Sequence, residues 1–248
     1  MSFAARAALL ALLVIGSSAR AGGLNVTPIQ IRLSPQVTKA MLTLRNDGAE
    51  TMRYQVSATS WNQTSRAELQ LAPTKEIVFF PGLFTLKPGE ERNVRIGVGT
   101  PFGLVEKTYR VFVEELPPTE RPAQTTSQVR VLTRVGVPVF LSPSRALERR
   151  AIENLSATHG RASFRVSNQG TVHFREDSVQ LRGVDAAGKE LFAREQKGWY
   201  VLAGGSLDYD FELPKSCPGL ASVAAVVTAE NGEKFEQRAP AEPSACAP

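Results

Sequence analysis

The sequence contains few of the residues that most often carry enzyme chemistry, with 2 histidines and 2 cysteines in 248 residues. Neither G-x-S-x-G, nor H-E-x-x-H, nor a glycine-rich phosphate-binding loop occurs in it. His159, beside Gly160, is typical of a turn, and His173 is expected on the surface of a strand. Glu114 and Glu115 are adjacent, so a strand points them to opposite faces and they cannot form a carboxylate pair. We therefore predict that the chain is not an enzyme and has no catalytic residue, metal ligand or cofactor.

Long apolar segments are also rare, and the one at the start of the sequence is short. It follows Arg6, runs from Ala7 to Ile15, and precedes small residues that end at Ala21. This order is typical of a secretory signal peptide, which we predict to be residues 1–21. The apolar run falls short of the roughly 20 residues that cross a bilayer, and no later segment is long and apolar enough to do so. We expect an exported protein without stable membrane insertion.

Positive charge is spread thinly along the chain. Lys and Arg number 29 against 24 Asp and Glu, a formal net charge of +5. Loss of Arg6 and Arg20 with the signal peptide reduces this to about +3. Nucleic-acid binders concentrate Lys and Arg in patches or blocks, and this sequence has no such block. Nucleic acid is therefore excluded as a partner.

Cys217 and Cys246 are the only cysteines, and both lie in the second half of the chain. In an oxidising compartment, such a pair is more simply a disulfide than a nucleophile or a metal site. We predict a disulfide between them, which would hold the C-terminal tail against the rest of the chain.

Short runs with alternating apolar residues dominate the sequence, and no window keeps helical spacing for three turns. This pattern predicts an all-β protein. Strands of the first half are predicted near residues 24–33, 37–46, 51–60, 75–80, 91–98, 107–115 and 127–141. Strands of the second half are predicted near residues 148–156, 161–168, 172–183, 189–195, 206–213, 221–229 and 233–238.

Seven strands in each half are the number that an immunoglobulin-like sandwich requires. Pro143 and the polar residues after it interrupt the strand pattern, so we place the domain boundary there. The prediction is a first domain over residues 22–143, a second domain over 144–238, and a tail over 239–248. The tail, rich in Ala and Pro, lacks regular structure unless Cys246 is bridged.

The last strand of the first domain has an unusual composition. Its odd positions are Val129, Val131, Thr133, Val135, Val137, Val139 and Leu141. Because proline cannot donate to a strand ladder, Pro138 predicts an edge strand with that position unpaired. An exposed apolar edge is a template for another chain, so pairing with a partner is one reading. The other is that the odd residues face the domain's own core. In a mixed case Val135 to Val139 lie in the core and the earlier residues are offered to a partner.

Several segments, in their order and spacing, resemble the PapD-like family of usher-pathway pilus chaperones, and most of all its archaic Csu-type branch. They are Val26-Thr27-Pro28-Ile29, the segment 42–48 with Asn46-Asp47-Gly48, Trp61-Asn62-Gln63, Leu86-Lys87-Pro88-Gly89-Glu90, the segment 109–117 starting Tyr109-Arg110, and Val137-Pro138-Val139-Phe140.

The resemblance implies a periplasmic chaperone made of two sandwiches in a boomerang arrangement. Its partners would be pilus subunits, including pilins and an adhesin, and an outer-membrane usher that receives them. The last strand of the first domain would enter the groove of an incomplete subunit, which is donor-strand complementation. The donor residues would be Val129, Val131, Thr133, Val135 and Val137. The free protein could also hide this edge by self-association.

The resemblance also implies that basic residues anchor the subunit's terminal carboxylate. Arg110 is the first candidate, Arg134 on the donor strand is the second, and Arg32 is the third. In the commoner branch of the family an arginine stands at the position that Gln30 occupies here, which weakens the transfer of a two-arginine anchor. The alternative for all three arginines is that they are ordinary solvated charges.

A passive structural or carbohydrate-binding sandwich is the alternative function, because similar folds have many functions. Trp61 and Trp199 could stack on a sugar, but lone tryptophans in sandwiches are more often packing residues. Two complete domains with a donor-like strand between them favour the chaperone.

Overall fold

A computed structural model describes residues 23–118, 131–242 and 245–246 of the chain. These residues form β-strands, turns and loops without a helix, which confirms the all-β prediction. Within these ranges nothing helical is long and apolar enough to cross a membrane. The predicted signal peptide, residues 1–21, and the predicted donor residue Val129 lie outside the described residues.

The first domain is a sandwich of two sheets. Its strands are β1 (Leu24–Thr27), β2 (Ile31–Leu33), β3 (Lys39–Asn46), β4 (Met52–Gln63), β5 (Leu69–Pro73), β6 (Ile77–Phe80), β7 (Leu83–Leu86), β8 (Glu91–Val98), β9 (Lys107–Leu116) and β10 (Arg134–Leu141). One sheet has the order β1-β3-β8-β6, and the other has the order β2-β10-β9-β4-β5, with β7 also paired to β4. Alternate residues of every strand except the exposed β5 meet in one apolar core, as in β9, where Tyr109, Val111 and Val113 point inward.

The second domain is a smaller sandwich with its own apolar core. Its strands are β11 (Arg150–Thr158), β12 (Arg161–Asn168), β13 (Phe174–Asp185), β14 (Glu190–Lys197), β15 (Tyr200–Val201), β16 (Ser206–Glu212), β17 (Leu220–Ala229) and β18 (Lys234–Pro240). One sheet has the order β11-β12-β16, and the other has the order β14-β13-β17-β18, with β15 paired to β13.

The predicted disulfide is confirmed. Cys217 and Cys246 are joined, with their Cα atoms 5.9 Å apart. Ala245 and Cys246 are buried in the second core, so the bridge holds the tail against the domain, as expected. Two residues of the predicted tail, Ala239 and Pro240, extend β18.

Every predicted strand corresponds to an observed one, but the structure corrects several boundaries. The predicted strand 24–33 is two strands in different sheets, because the chain leaves one sheet after Thr27 and enters the other at Ile31. Strands β5, β7 and β15 were not predicted; β7 and β15 are too short for alternation to identify them. The predicted domain boundary falls between the end of β10 at Leu141 and the start of β11 at Arg150.

One carboxyl group lies inside the second domain. Glu176 on β13 is 1% exposed and accepts a hydrogen bond from the hydroxyl of Tyr209 on the facing sheet. A second, longer bond comes from the backbone N–H of Trp199 at 3.4 Å, while Oε1 has no partner. Burial raises the pKa of Glu176 to about 7, and the hydrogen bonds from Tyr209 and Trp199 lower it only in part.

This group makes the stability of the second domain depend on pH. The carboxyl group stays protonated in the folded chain up to a pH near 7 but ionises near 4.5 in the unfolded chain. Stability is therefore lost as pH rises from about 4.5 to 7. We expect Glu176→Gln to remove this loss. The free energy of unfolding of the variant, relative to that of the wild type, should therefore rise by about 3 kcal/mol between pH 4.5 and 8. Denaturant unfolding across this pH range measures the difference.

Glu212→Gln is the matched control, because Glu212 is an exposed glutamate on β16. The difference in the free energy of unfolding between this variant and the wild type should stay nearly constant with pH. A constant difference for Glu176→Gln as well would contradict the prediction.

Candidate functional site

The first two anchor candidates, Arg110 and Arg134, lie on the outer face of β9 and β10, which points away from the first core. Strand register sets four successive pairs on this face, Arg134 with Glu114, Gly136 with Phe112, Pro138 with Arg110, and Phe140 with Thr108. The residues between them on β10, Val137 and Val139, point the other way and are buried in the core. The face therefore carries alternating cationic and aromatic side chains, with Trp61 of the neighbouring strand β4 at the Phe140 end.

Arg110 lies in the middle of this face and is half-buried. Its guanidinium carbon is 4.3 Å from the centre of the Trp61 ring, a cation–π distance. Burial lowers the pKa of Arg110, and the nearby Tyr200 raises it. Its Nε atom is buried without a hydrogen-bond partner, and no acidic side chain of the described residues forms an ion pair with it. Arg110 is thus a partly desolvated cation whose charge is uncompensated within the described chain.

Arg134 is in a different situation. It lies over the Phe112 ring at 4.1 Å, is about half exposed, and has Glu114 as an ion-pair partner at 3.8 Å. Phe112 covers Gly136, where an added Cβ would come within 2.7 Å of the ring. Four residues of strand separate Arg134 from Pro138, the partner of Arg110, which is about 13 Å at the usual rise. The structure therefore does not bring the first two anchor candidates together.

Arg32 lies on β2, beside Phe140 of β10, and is exposed. Its guanidinium faces the side-chain amide of Gln30. With the amide oxygen turned toward Arg32, the oxygen accepts from Nε at 2.7 Å and from Nη2 at 3.1 Å. The opposite orientation would set the amide N–H groups against the N–H groups of Arg32, so the first one is adopted.

Strand β10 changes its surroundings along its length. It pairs with β9 from Arg134 to Leu141, but with β2 only from Val139 to Leu141. The prediction of an edge strand is therefore wrong for the last three residues, which have a strand on both sides. From Arg134 to Pro138 the described structure gives β10 a single neighbour, so that part is an edge.

The predicted donor residues divide between core and surface. Val137 is 1% exposed and Val135 is partly buried against the same core. The backbone C=O of Thr133 accepts from the backbone N–H of Glu115 and so continues the ladder, while the N–H of Thr133 donates to the Glu115 carboxylate. Val131 is 82% exposed and Leu132 is 42% exposed. Among the described candidates, only Val131 and Thr133 precede β10 and stand outside the core.

An aromatic cluster joins the end of β10 to the second domain. Trp61 and Phe140 of the first domain pack with Tyr200 and Leu202 of the second, and none of the four is more than 9% exposed. The ring of Trp61 meets Tyr200 edge-on at 5.4 Å between centroids. The side-chain amide of Gln63 donates to the backbone carbonyl of Tyr200 at 2.7 Å. Trp61 is therefore a packing residue, as expected, but it packs between the domains.

His173 belongs to the same junction, and its predicted surface position is wrong. Its ring stacks on Phe140 with centroids 3.6 Å apart, and its Nδ1 is 2.6 Å from Oε1 of the buried Glu106. Glu106 also accepts from the backbone N–H of His173 and the hydroxyl of Ser142. The position was misjudged because the residues that bury His173 come from the other domain.

The sequence did not indicate two further candidate functional residues, Tyr200 and Arg175. Tyr200 lies in the two-residue strand β15, and Arg175 lies directly opposite it on β13. Neither residue stands in a recognisable motif. Their nearest signal is Trp199-Tyr200 after Gly198, an aromatic pair that follows a turn residue.

Comparison with protein families identifies the first half of the chain. The profile described as the pili and flagellar-assembly chaperone, PapD N-terminal domain, matches residues 23–146. The chain belongs to this PapD family of pilus-assembly chaperones. The match covers half of the chain and includes every strand of the first domain. Members of this family assist pilus assembly by binding and are not enzymes, which agrees with the prediction that the chain is not an enzyme. A comparison with curated protein sequences found no match.

Solved structures of chaperones share the fold over both domains. A chain of the CsuC–CsuE chaperone–tip adhesion subunit complex of Acinetobacter baumannii has a TM-score of 0.60 at 18% identity, covering 89% of this chain and 99% of that chain. The E. coli chaperone DraB has a TM-score of 0.55 at 17% identity, with 89% and 97% covered. A chain of the Salmonella enterica SafA pilin complex with the SafB chaperone has a TM-score of 0.53 at 15% identity, with 88% and 96% covered. Identities this low show the fold alone.

The junction of this PapD-family chaperone can be tested by truncating Phe140. Loss of a fully buried phenylalanine costs about 3–5 kcal/mol, and here the cavity would open between the domains. We expect Phe140→Ala to lower overall stability and to speed amide hydrogen exchange around Tyr200 and Leu202. Native-state exchange read by mass spectrometry measures this local effect.

Leu141→Ala is the control, because Leu141 is equally buried but lies in the first core, on the opposite face of β10. It should destabilise the first domain without faster exchange at Tyr200. Equal exchange at Tyr200 in both variants would show that the cluster does not couple the domains.

Proposed function

We propose that the mature protein works in the periplasm, where it binds a pilus subunit by donor-strand complementation and delivers it to an outer-membrane usher. The segment that ends at Thr133, continued by the open part of β10, is the donor. Arg110 binds the terminal carboxylate of the subunit. The observation that carries this proposal is the edge of β10 from Arg134 to Pro138, which leads directly into the exposed Val131 and lies beside the unpaired Arg110.

The two parts of the site have different roles in binding. Burying one Val or Leu side chain contributes roughly 1.5–3 kcal/mol, so a few donor side chains can dominate affinity. A guanidinium and a carboxylate form a directional pair, but desolvation offsets much of their attraction. In Arg110 part of the desolvation cost is already present in the free protein, because the side chain is stacked on Trp61. Arg110 therefore fixes the register of the inserted strand at a smaller cost than a fully solvated arginine.

The three candidate anchors are not equivalent in this proposal. Arg134 already has Glu114 as a partner, and Arg32 is engaged by Gln30. Both can add positive potential, but Arg110 is the candidate that lacks an acceptor in the described structure. The core positions Val135 and Val137 act by holding β10 in the sheet, and the donor side chains stand before them.

Capture of a pilin in the periplasm tests the proposal. The full-length protein, with its signal peptide, is co-expressed with candidate pilins, and 1:1 complexes are isolated. We expect Val131→Asp to reduce the captured pilin by at least about tenfold, since a charge would enter an apolar groove. We expect Arg110→Ala to reduce it by about tenfold, through the lost charge-assisted hydrogen bonds.

Matched controls lie on the opposite sheet of the same domain. Val78 is 51% exposed on β6, and Arg95 is exposed on β8. Val78→Asp and Arg95→Ala should capture pilin like the wild type. If no pilin is captured, or if Val131→Asp and Arg110→Ala bind as well as the controls, the donor-strand proposal is wrong.

A further inference from the structure

The second domain places a group of hydrogen-bond donors next to Arg110. Tyr200 packs edge-on against Trp61, the ring on which Arg110 is stacked. Arg175 stands beside Tyr200 on the neighbouring strand, with its guanidinium carbon 5.6 Å from the Tyr200 ring. The first domain adds Arg32, which lines a cleft of about 320 Å³ together with Arg175. Three guanidinium groups from three strands therefore surround one phenol.

The hydroxyl of Tyr200 is left with a proton to donate. Because the Gln30 amide oxygen accepts from Arg32, its nitrogen donates to the Tyr200 hydroxyl oxygen at 3.2 Å. The Tyr200 oxygen is thus an acceptor in this chain of contacts, and its own O–H points to no acceptor among the described residues. In this chain of hydrogen bonds Arg32 donates to Gln30 and Gln30 donates to Tyr200. The Tyr200 hydroxyl is the last donor, and it has no acceptor among the described residues.

The two acids that line this cleft already have partners. Glu230 pairs with Arg175 at 3.2 Å, and Glu148 pairs with Arg150. Burial raises the pKa of the Tyr200 hydroxyl, and although Arg175, Arg110 and Arg32 each lower it, the group stays protonated at neutral pH. Donors that lack acceptors in a partly buried site favour an anion with two acceptor oxygens, which describes a carboxylate.

We propose that Tyr200 is a specificity-determining residue for the subunit's terminal carboxylate, which its hydroxyl contacts from the second domain while Arg110 contacts it from the first. This inference rests on the proposed function above. The carboxylate then lies between the domains, with Arg32 acting through Gln30 and Arg175 adding positive charge. The backbone of Tyr200 is already fixed by Gln63, so the hydroxyl is held in place before the subunit arrives.

The test compares two forms of one subunit, the pilin that the wild type captures in the co-expression experiment. One form has its natural terminal carboxylate and the other has a terminal amide, made by ligation. The dissociation constant of the amide form divided by that of the carboxylate form reports recognition of the carboxylate. We expect Tyr200→Phe, which keeps the packed ring, to lower this ratio by about tenfold or more, as for loss of one hydrogen bond to a charged group. Arg110→Ala should lower it as well.

Gln30→Glu provides a second variant in which the phenol is intact. A carboxylate at this position accepts from both Arg32 and the Tyr200 hydroxyl, so the hydroxyl can no longer donate to the subunit. This variant should lose discrimination like Tyr200→Phe, although the aromatic packing is unchanged. Tyr109→Phe is the control, because its hydroxyl bonds to Glu76 away from this site, and its ratio should equal that of the wild type.

The outcomes separate the two proposals. If the wild type discriminates, Arg110→Ala does not, and both Tyr200→Phe and Gln30→Glu keep the full ratio, the role of Tyr200 is refuted while the donor-strand function stands. If the wild type binds both forms of the subunit equally, no carboxylate anchor exists and the inference fails together with that part of the proposed function. Loss of the ratio in Tyr200→Phe, Gln30→Glu and Arg110→Ala, with Tyr109→Phe unchanged, supports the inference.

Discussion

Among the described residues, strand β10 has strands on both sides at one end only, and the rest of the site follows from this constraint. At its end, Val139 to Leu141 have strands on both sides, and Phe140 is locked between the aromatic residues of two domains. At its beginning, the described structure gives the strand one neighbour, and the strand is preceded by the exposed apolar residues Val131 and Leu132. Side chains with period 2 let the same strand bury Val137 in a core and present Arg134 and Phe140 on the other face. In the proposed function, a partner would therefore pair with the open part of β10 without loosening the fold.

Partial burial of Arg110 is the second feature with functional consequences. Arg110 is stacked on the Trp61 ring and has no acid beside it among the described residues, and such a guanidinium is less stable than one that has a counter-ion. That cost is tolerated in the free protein because the rest of the first domain is well packed around β9 and β4. An arriving carboxylate would supply the missing charge, so the gain appears only in the complex. Arg134, already paired with Glu114, offers no comparable gain.

The sequence predicted the fold closely because its signals are local. Alternation along β9, β12 and β16 is regular, and turns such as Asn231-Gly232 end strands at short range, so these elements were found to within a few residues. The disulfide could be predicted from the presence of only two cysteines and from the oxidising compartment. The site was predicted less well because it depends on contacts across long distances in the chain. Arg110 and Arg134 look alike in sequence. Only the register of β9 and β10 shows that Arg134 has an ion-pair partner, while Arg110 has none among the described residues.

The role of the second domain illustrates the same limit and its physical origin. Tyr200 reaches the site because β15 pairs with β13, because Gln63 holds its backbone, and because Phe140 and Trp61 fill the space beside its ring. Each of these contacts joins residues that are distant in sequence, so no periodicity can reveal them. They also mean that the position of the Tyr200 hydroxyl depends on how the two domains meet. A carboxylate bound on one side by Arg110 and on the other by Tyr200 would strengthen that junction, and the junction holds the fixed end of the donor strand. Binding at the anchor would then favour the strand conformation that the subunit requires, which gives the second domain a part in recognition as well as in packing.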